Sequence, residues 1–153
     1  MTTNQLERVY RNYIACLNGR DLSGLERYVD EGATHNGRPL GLSGYRAMLE
    51  QDFADIPDLR FDIELLVVNP PYIASRLHFQ CTPRATFMNL NVGGVTVSFA
   101  ENVFYEFMEG KIVRVWSVID KEAIEAQLMS RRGGNEQPGG WVTLSRRGWV
   151  TPA

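Results

Sequence analysis

The feature that most constrains this chain is a change of hydrophobic period at Leu59. Before it, apolar residues recur at steps of three and four; after it, they alternate with polar ones. Leu6, Val9, Tyr10, Tyr13, Ile14 and Leu17 predict an amphipathic helix, because those steps return to one face of a 3.6-residue turn. Asn4 and Glu7 read as its capping box and Asn18-Gly19 as its stop. Asp21 is placed to cap a short second helix through Leu22, Leu25, Tyr28 and Val29. Residues 31–41 read as a Gly-rich loop, with or without a short strand. Ser43 is placed to cap a third helix whose apolar face is Tyr45, Met48, Leu49, Phe53 and Ile56, ahead of Pro57.

From Leu59 the period is two. Leu59, Phe61, Ile63 and Leu65 alternate with Arg60, Asp62 and Glu64, which predicts a strand. A second strand over 72–82 sets Ile73, Leu77, Phe79 and Cys81 against Ala74, Arg76, His78 and Gln80. A third covers 96–107, Glu109-Gly110 turns the chain, a fourth covers 111–119, and a helix closes at 120–129. Helices followed by an antiparallel meander define an α+β domain over 1–129. Residues 130–153 form a basic, Gly/Trp-rich tail in which Gly140-Trp141-Val142-Thr143 recurs as Gly148-Trp149-Val150-Thr151. Two copies are too few for a solenoid; a small hairpin, an arm on a neighbouring subunit and a flexible extension all fit.

Composition excludes several classes of function. With 153 residues, 44% apolar and 22% charged, the chain fits one globular domain. No run approaches the roughly 18 apolar residues of a membrane span, and the charged first 30 residues lack the apolar stretch of a secretory signal. Cys16 and Cys81 are too few for a disulfide framework or a zinc site, so reduced thiols and a cytoplasmic location are expected. The tail holds Arg131, Arg132, Arg146 and Arg147 against Glu136 alone, so the remainder is more acidic than the overall charge of −2. Such a body repels a phosphate backbone, and no nucleic-acid partner is expected. Val103-Phe104-Tyr105 and Val115-Trp116 are apolar on both strand faces. The helices cover one face, and pairing of two copies through the sheet is the expected cover for the other.

Residues able to do chemistry are few. The two histidines lie far apart without carboxylates at ligand spacing, and no Gly-rich phosphate loop joins a strand to a helix. No metal and no cofactor are expected. Asp120, at the junction of the fourth strand and the closing helix, has two readings. It is a preferred N-cap, with Ile119 and Ile124 at the spacing of a hydrophobic staple. Alternatively it points inward along the row Ile112, Arg114, Trp116, Val118, Asp120, as a general acid/base. His35 is either a solvated loop residue or a proton donor and acceptor near neutral pH. His78 shares a row with Arg76 and Gln80 that lines either solvent or a wet cavity. Asn102 faces Trp116, and Phe104 faces Arg114, if the hairpin has a three-residue loop; a two-residue turn sets Val103 and Tyr105 there instead. Glu106 and Arg114 are placed to pair.

With these elements in place, the chain resembles the SnoaL-like polyketide cyclases of the NTF2-like superfamily, also called ester cyclase-like proteins, over about residues 5 to 129. The most specific match is Glu109-Gly110-Lys111-Ile112, then Val115-Trp116 and Asp120, ahead of Gln127-Leu128. Asp21, Leu25, His35, 41–46, Arg76 and 94–97 add weaker matches. The resemblance implies a cone: a curved antiparallel sheet wrapped on helices around one deep apolar pocket. It implies cofactor-independent chemistry, with Asp120 removing a proton alpha to a carbonyl so that the enolate closes a ring by an aldol step, and with His35 in the same pocket. The wall is then drawn from Trp116, Asn102, His78, Arg114 and Phe104 on the strands and Tyr13, Leu49 and Phe53 on the helices. The implied ligand is a small apolar or aromatic carbonyl compound, and Arg114 in the wall would favour an anionic one. Arg114 stands where the family commonly has Glu, and Leu77-His78-Phe79-Gln80 departs from its second-strand pattern. A non-catalytic binding or dimerisation module on the same fold is the alternative, and an interaction protein acting through the Arg/Trp tail is a third. The direction of the Asp120 carboxylate separates the first two.

Overall fold

The computed structural model describes residues 1–132, and the tail beyond Arg132 lies outside the described residues. Helix α1 (Thr3–Asn18) starts two residues earlier than Asn4 suggests. Thr2 is the N-cap, and the Thr2 and Gln5 side chains bond reciprocally to each other's backbone N–H in a capping box. Asp21 caps a 3-10 helix, Leu22–Arg27, by accepting from the Gly24 N–H. Strand β1 (Val29–His35) occupies much of what reads as a Gly-rich loop, and helix α2 (Gly41–Asp55) follows. Its N-cap is Leu40, without a side-chain cap bond, rather than Ser43. The chain then forms β2 (Asp62–Asn69), β3 (Tyr72–Cys81), a small β4–β5 ribbon (Thr86–Phe87 and Leu90–Asn91), β6 (Val97–Met108), β7 (Lys111–Ile119) and α3 (Lys121–Arg132).

The five long strands make one curved, open sheet in the order β1-β7-β6-β3-β2. From β2 to β7 the pairing is antiparallel, as the alternating pattern requires; β1 adds to β7 in parallel, which only the long crossover through α2 and the meander permits. Met108 pairs with Lys111, leaving Glu109 (φ 51°) and Gly110 (φ 78°) as a two-residue turn. Positive φ at both central positions is what a right-twisted hairpin needs.

Two β-bulges decide which side chains face the helices. In β7, Ile112 pairs with Phe107 and Arg114 with Glu106, so Val113 is an extra residue. Ile112 and Val115 are both buried although three residues apart, whereas Arg114 and Trp116 are exposed. A one-residue slip exchanges the two faces of a strand. Everything beyond Val113 is therefore opposite in phase to strict alternation from Ile112. Phe104 faces Trp116 and Asn102 faces Val118, one step beyond the register of a two-residue turn and two beyond that of a three-residue loop. In β2, Glu64 is the extra residue, and Leu65 emerges on the outer face at 58% exposure.

Between sheet and helices, the aromatic residues sort by type. Phe53, Phe61, Phe79, Phe99 and Phe87 form a continuous series with centroids 5.3–6.2 Å apart, capped by the Arg20 guanidinium over Phe53. Tyr10, Tyr13, Tyr28 and Tyr105 form a second cluster. The buried hydroxyls satisfy one another: Tyr13 and Tyr45 at 2.6 Å, Tyr10 donating to Ser75 at 2.8 Å. One part of the interior is thus purely apolar and another is polar but paired, as burial of hydroxyls requires.

Candidate active site

The inward row of β6 is Val97, Phe99, Glu101, Val103, Tyr105 and Phe107, and all but Glu101 are buried apolar or aromatic residues. A carboxyl group thus stands in the middle of the concave face. It is partly buried there. Burial lifts its pKa to about 7, the nearby Asp52 carboxyl adds to the rise, and a hydrogen bond with the Ser117 side chain opposes it. Asp52 belongs to the stripe Tyr45, Leu49, Asp52 on the inner face of α2, and burial, with Asp55 close by, raises it to about 6. The Asp52 carboxyl thus disfavours charge on Glu101.

The Val113 bulge brings Ser117 into this group. Ser117 is held at its backbone by the Asn36 side chain, which donates to the Ser117 carbonyl (3.1 Å) and accepts its N–H (2.8 Å). The amide thereby extends the β1–β7 ladder by one residue. On the other side, the Ser117 hydroxyl lies 3.4 Å from Nε2 of His35. Burial, reinforced by the positive charge of Arg38, pushes the His35 imidazole down, towards its neutral form. The hydroxyls of Tyr13 and Tyr45 reach in from α1 and α2; burial raises both, and the field of Glu101 adds to the rise.

Of the residues expected at the site, the structure brings together His35, Tyr13 and Leu49 on the inner side. Phe53 belongs to the phenylalanine series. The others lie elsewhere. Asp120 is exposed, and its carboxylate accepts the Ala123 N–H at 3.1 Å as the cap of α3; the bulge has turned its row outward. For the same reason Trp116 lies on the outer face, beneath Arg114 at 5.4 Å. Arg114 pairs with Glu106 at 3.0 Å and does not line the interior, so the preference for an anionic ligand expected from it falls away. Phe104, at 58% exposure, and Asn102, which accepts from Arg76, are also outside. His78 is in phase with Arg76 and bonds Ser98 Oγ at 2.9 Å, so its row is the outer one rather than a cavity wall.

The groups that sequence reasoning missed are Glu101, Asp52 and Ser117. The signal for Glu101 was present: it shares its parity with Phe99, Val103, Tyr105 and Phe107. Asp52 falls three residues after Leu49 on the same helical stripe. Ser117 had no such signal, because an unmarked bulge sets its direction. A separate cleft of about 460 Å³, lined by Glu26, Arg27, Val29, Glu31, Leu42 and Lys111, includes none of these groups. Among the described residues, no three His, Cys, Asp or Glu side chains converge as metal ligands, and no helix is long and apolar enough to cross a membrane.

A curved, open sheet closed over by helices, with ionisable groups on its concave side, defines the NTF2-like cone. Within that class, the sequence profile of the SnoaL-like polyketide cyclases matches residues 7–128, and the chain belongs to that family. A SnoaL-like polyketide cyclase from Agrobacterium tumefaciens is 54% identical, covering 84% of this chain and 99% of its own, with a TM-score of 0.81. Two more distant structures share the fold. IdmH from Streptomyces antibioticus, provisionally assigned as a polyketide cyclase, is 20% identical over 81% of this chain and 98% of its own, TM-score 0.71. AclR from Streptomyces galilaeus, provisionally assigned as a hydroxylase, is 21% identical over 88% and 100%, TM-score 0.68. No curated protein matches the sequence.

Proposed function

We propose that this protein catalyses proton transfer alpha to a carbonyl of a small apolar or aromatic compound, in the manner of an aldol cyclisation or a related isomerisation or hydration, with Glu101 as general acid/base. The observation that carries this reading is the Glu101 carboxyl on the concave face, flanked by Phe99 and Val103 and poised to titrate near neutrality. A base acts best when its affinity for a proton is matched to the working pH. An enclosed carboxyl far above its ordinary range meets that condition, whereas Asp120 is exposed and engaged as the cap of α3. Enolate charge developing beside Glu101 is within the field of the Tyr13 and Tyr45 hydroxyls, which can stabilise it in a site with little water. No buried cation is needed for this chemistry.

The test is deuterium uptake. Aromatic β-diketones and β-keto compounds are incubated with the protein in D₂O, and α-proton signals are followed by NMR. Enhanced exchange with the wild type, lost by at least a factor of roughly 10² in Glu101→Gln, supports the reading. Exchange that survives in Glu101→Gln overturns it. The rival reading, a binding module, draws support from Asp120 bonding a helix N–H instead of facing inward; it predicts ligand uptake without exchange in either protein.

We also infer that two copies pair through the outer face of the sheet, where Leu65, Val67, Phe104, Met108 and Val118 are each more than half exposed. Four charges on this face pair within it, Arg76 with Glu64 and Arg114 with Glu106, and so offset one another against an identical face. A two-fold interface needs that self-complementarity. Buried, unpaired Cys16 and Cys81 fit a reducing, cytoplasmic setting.

A further inference from the structure

Two steps in the sequence join asparagine to glycine, Asn18-Gly19 and Asn36-Gly37, and no others do. Both asparagines do the same structural job. The Asn18 side chain donates to the Phe61 carbonyl at 2.9 Å and accepts the Phe61 N–H at 2.8 Å. The Asn36 side chain treats Ser117 in the same way, at 3.1 and 2.8 Å. Each amide thus ties together distant parts of the chain through both backbone groups of one residue. A carboxamide holds a donor and an acceptor side by side, as that pair of bonds requires; a carboxylate only accepts.

We propose that Asn36 is a self-deamidation site, and that the reaction uncouples the end of β1 from β7. Because glycine has no side chain, the nitrogen that follows the asparagine is unhindered. The Gly37 nitrogen bonds to Asn36 Cγ as the Cγ–Nδ2 bond breaks. The Gly37 N–H proton leaves with the amide group as ammonia, and a five-membered imide remains. Water then adds to one imide carbonyl and the C–N bond there breaks, with a proton passing to the nitrogen. Opening at Cγ gives aspartate, and opening at the main-chain carbonyl gives isoaspartate.

The structure separates the two sites. Gly37 is exposed, no atom crowds the place a Cβ would take, and its N–H donates to no group among the described residues. The Gly19 N–H instead donates to the Ala15 carbonyl at 2.9 Å, as the C-cap of α1. Freeing Asn36, itself exposed, requires its side chain to let go of Ser117. Half-buried Asn18 must also wait for the last turn of α1 to open. Neither product at Asn36 keeps the clamp. Aspartate sets an oxygen without a hydrogen against the Ser117 carbonyl, and two facing acceptors make no bond. Isoaspartate lengthens the main chain within the two-residue turn that His35 and Arg38 close with bonds of 2.9 and 3.0 Å. Asn36 (φ 48°) and Gly37 (φ 79°) meet the demands of that turn, and a longer link does not. His35, whose Nε2 lies 3.4 Å from the Ser117 hydroxyl, is the residue next to the break.

The test incubates the full-length protein, folded and urea-unfolded, in mildly alkaline buffer. Peptide mapping by mass spectrometry reads conversion of amide to acid at each asparagine, and enzymatic methylation of isoaspartate reads the isomer. Unfolded, the two Asn-Gly steps are expected to convert at similar rates. Folded, Asn36 is expected to convert at least ~10 times faster than Asn18, the difference reflecting the opening that α1 requires. A folded sample in which Asn36 stays intact while the unfolded chain converts, or in which both sites convert alike, overturns the site. The structural consequence is read from Asn36→Asp, expected to melt roughly 3–10 °C below the wild type. If that variant does not fold, the deamidated wild type, separated by its added negative charge on anion exchange, is melted in its place. An unchanged melting temperature overturns the uncoupling of β1. No readout here involves a substrate, so the outcome is independent of the deuterium-exchange test of Glu101.

Discussion

Glu101 alternates in phase with Val97, Phe99, Val103 and Tyr105, so any protein that builds this strand must either neutralise it or use it. The consequence for stability has a definite sign. Its folded pKa, about 7, lies above the ordinary 4.5. The stabilising contribution of the neutral acid is complete below about pH 4.5 and is lost as pH rises through 7. Asp52, raised to about 6, acts in the same direction over a lower window. Glu101→Gln removes the buried charge while preserving shape. The variant is therefore expected to match the wild type in thermal denaturation at pH 4.5 and to exceed it at pH 8, by on the order of 2 kcal/mol. A stability gap that is constant from pH 4.5 to 8 would contradict the burial of this carboxyl.

Among the elements, β7 shows what the sequence allowed and what it hid. Its limits, the Glu109-Gly110 turn, the Asp120 cap and the switch from helix to strand were all legible, because each depends on local chemistry. The direction of its side chains was not. Val113 carries no residue-level mark of a bulge, and the apolar character of both faces permits either phase. That single residue moved Trp116 and Asp120 from expected pocket wall to outer face, and moved Ser117 the other way. Asp120 then does what its position by a helix start favours. Asp120→Ala should cost about 1 kcal/mol in urea denaturation, whereas Asp120→Asn, itself a good cap, should cost a few tenths. Neither should alter deuterium exchange; loss of exchange with an intact fold would return the chemistry to Asp120. β1 was legible only as an optional short strand in a Gly-rich loop for a related reason: Gly32 and the polar residues around it favour a loop, and its pairing with β7 comes from distant sequence.

At the scale of the molecule, the two sheet faces hold opposite kinds of residue. The concave side carries Glu101, Ser117 and buried tyrosines, and the convex side carries exposed hydrophobics between paired charges. The helices cover only the first. Phe104 and Trp116, cross-strand partners on the second, are central to the proposed pairing of copies. Phe104→Arg is expected to shift the protein from dimer to monomer in analytical ultracentrifugation while its circular dichroism is unchanged. A wild type that sediments as a monomer at micromolar concentration would end the proposal. The tail, with its repeated Gly-Trp-Val-Thr, lies outside the described residues, and α3 extends to Arg132, three residues past the boundary read from sequence.

The extra residue in β7 also bears on how such a protein can change over generations. Loss of the one codon for Val113 would leave Arg114 opposite Glu106 and Trp116 opposite Phe104, so both faces of the strand would keep their residues. Were Val113 instead drawn into the ladder, inside and outside would exchange along the rest of the strand, bringing an indole and an aspartate towards the helices and sending a serine out. The same letters would then present different reactive groups to a ligand, according to whether one residue is paired.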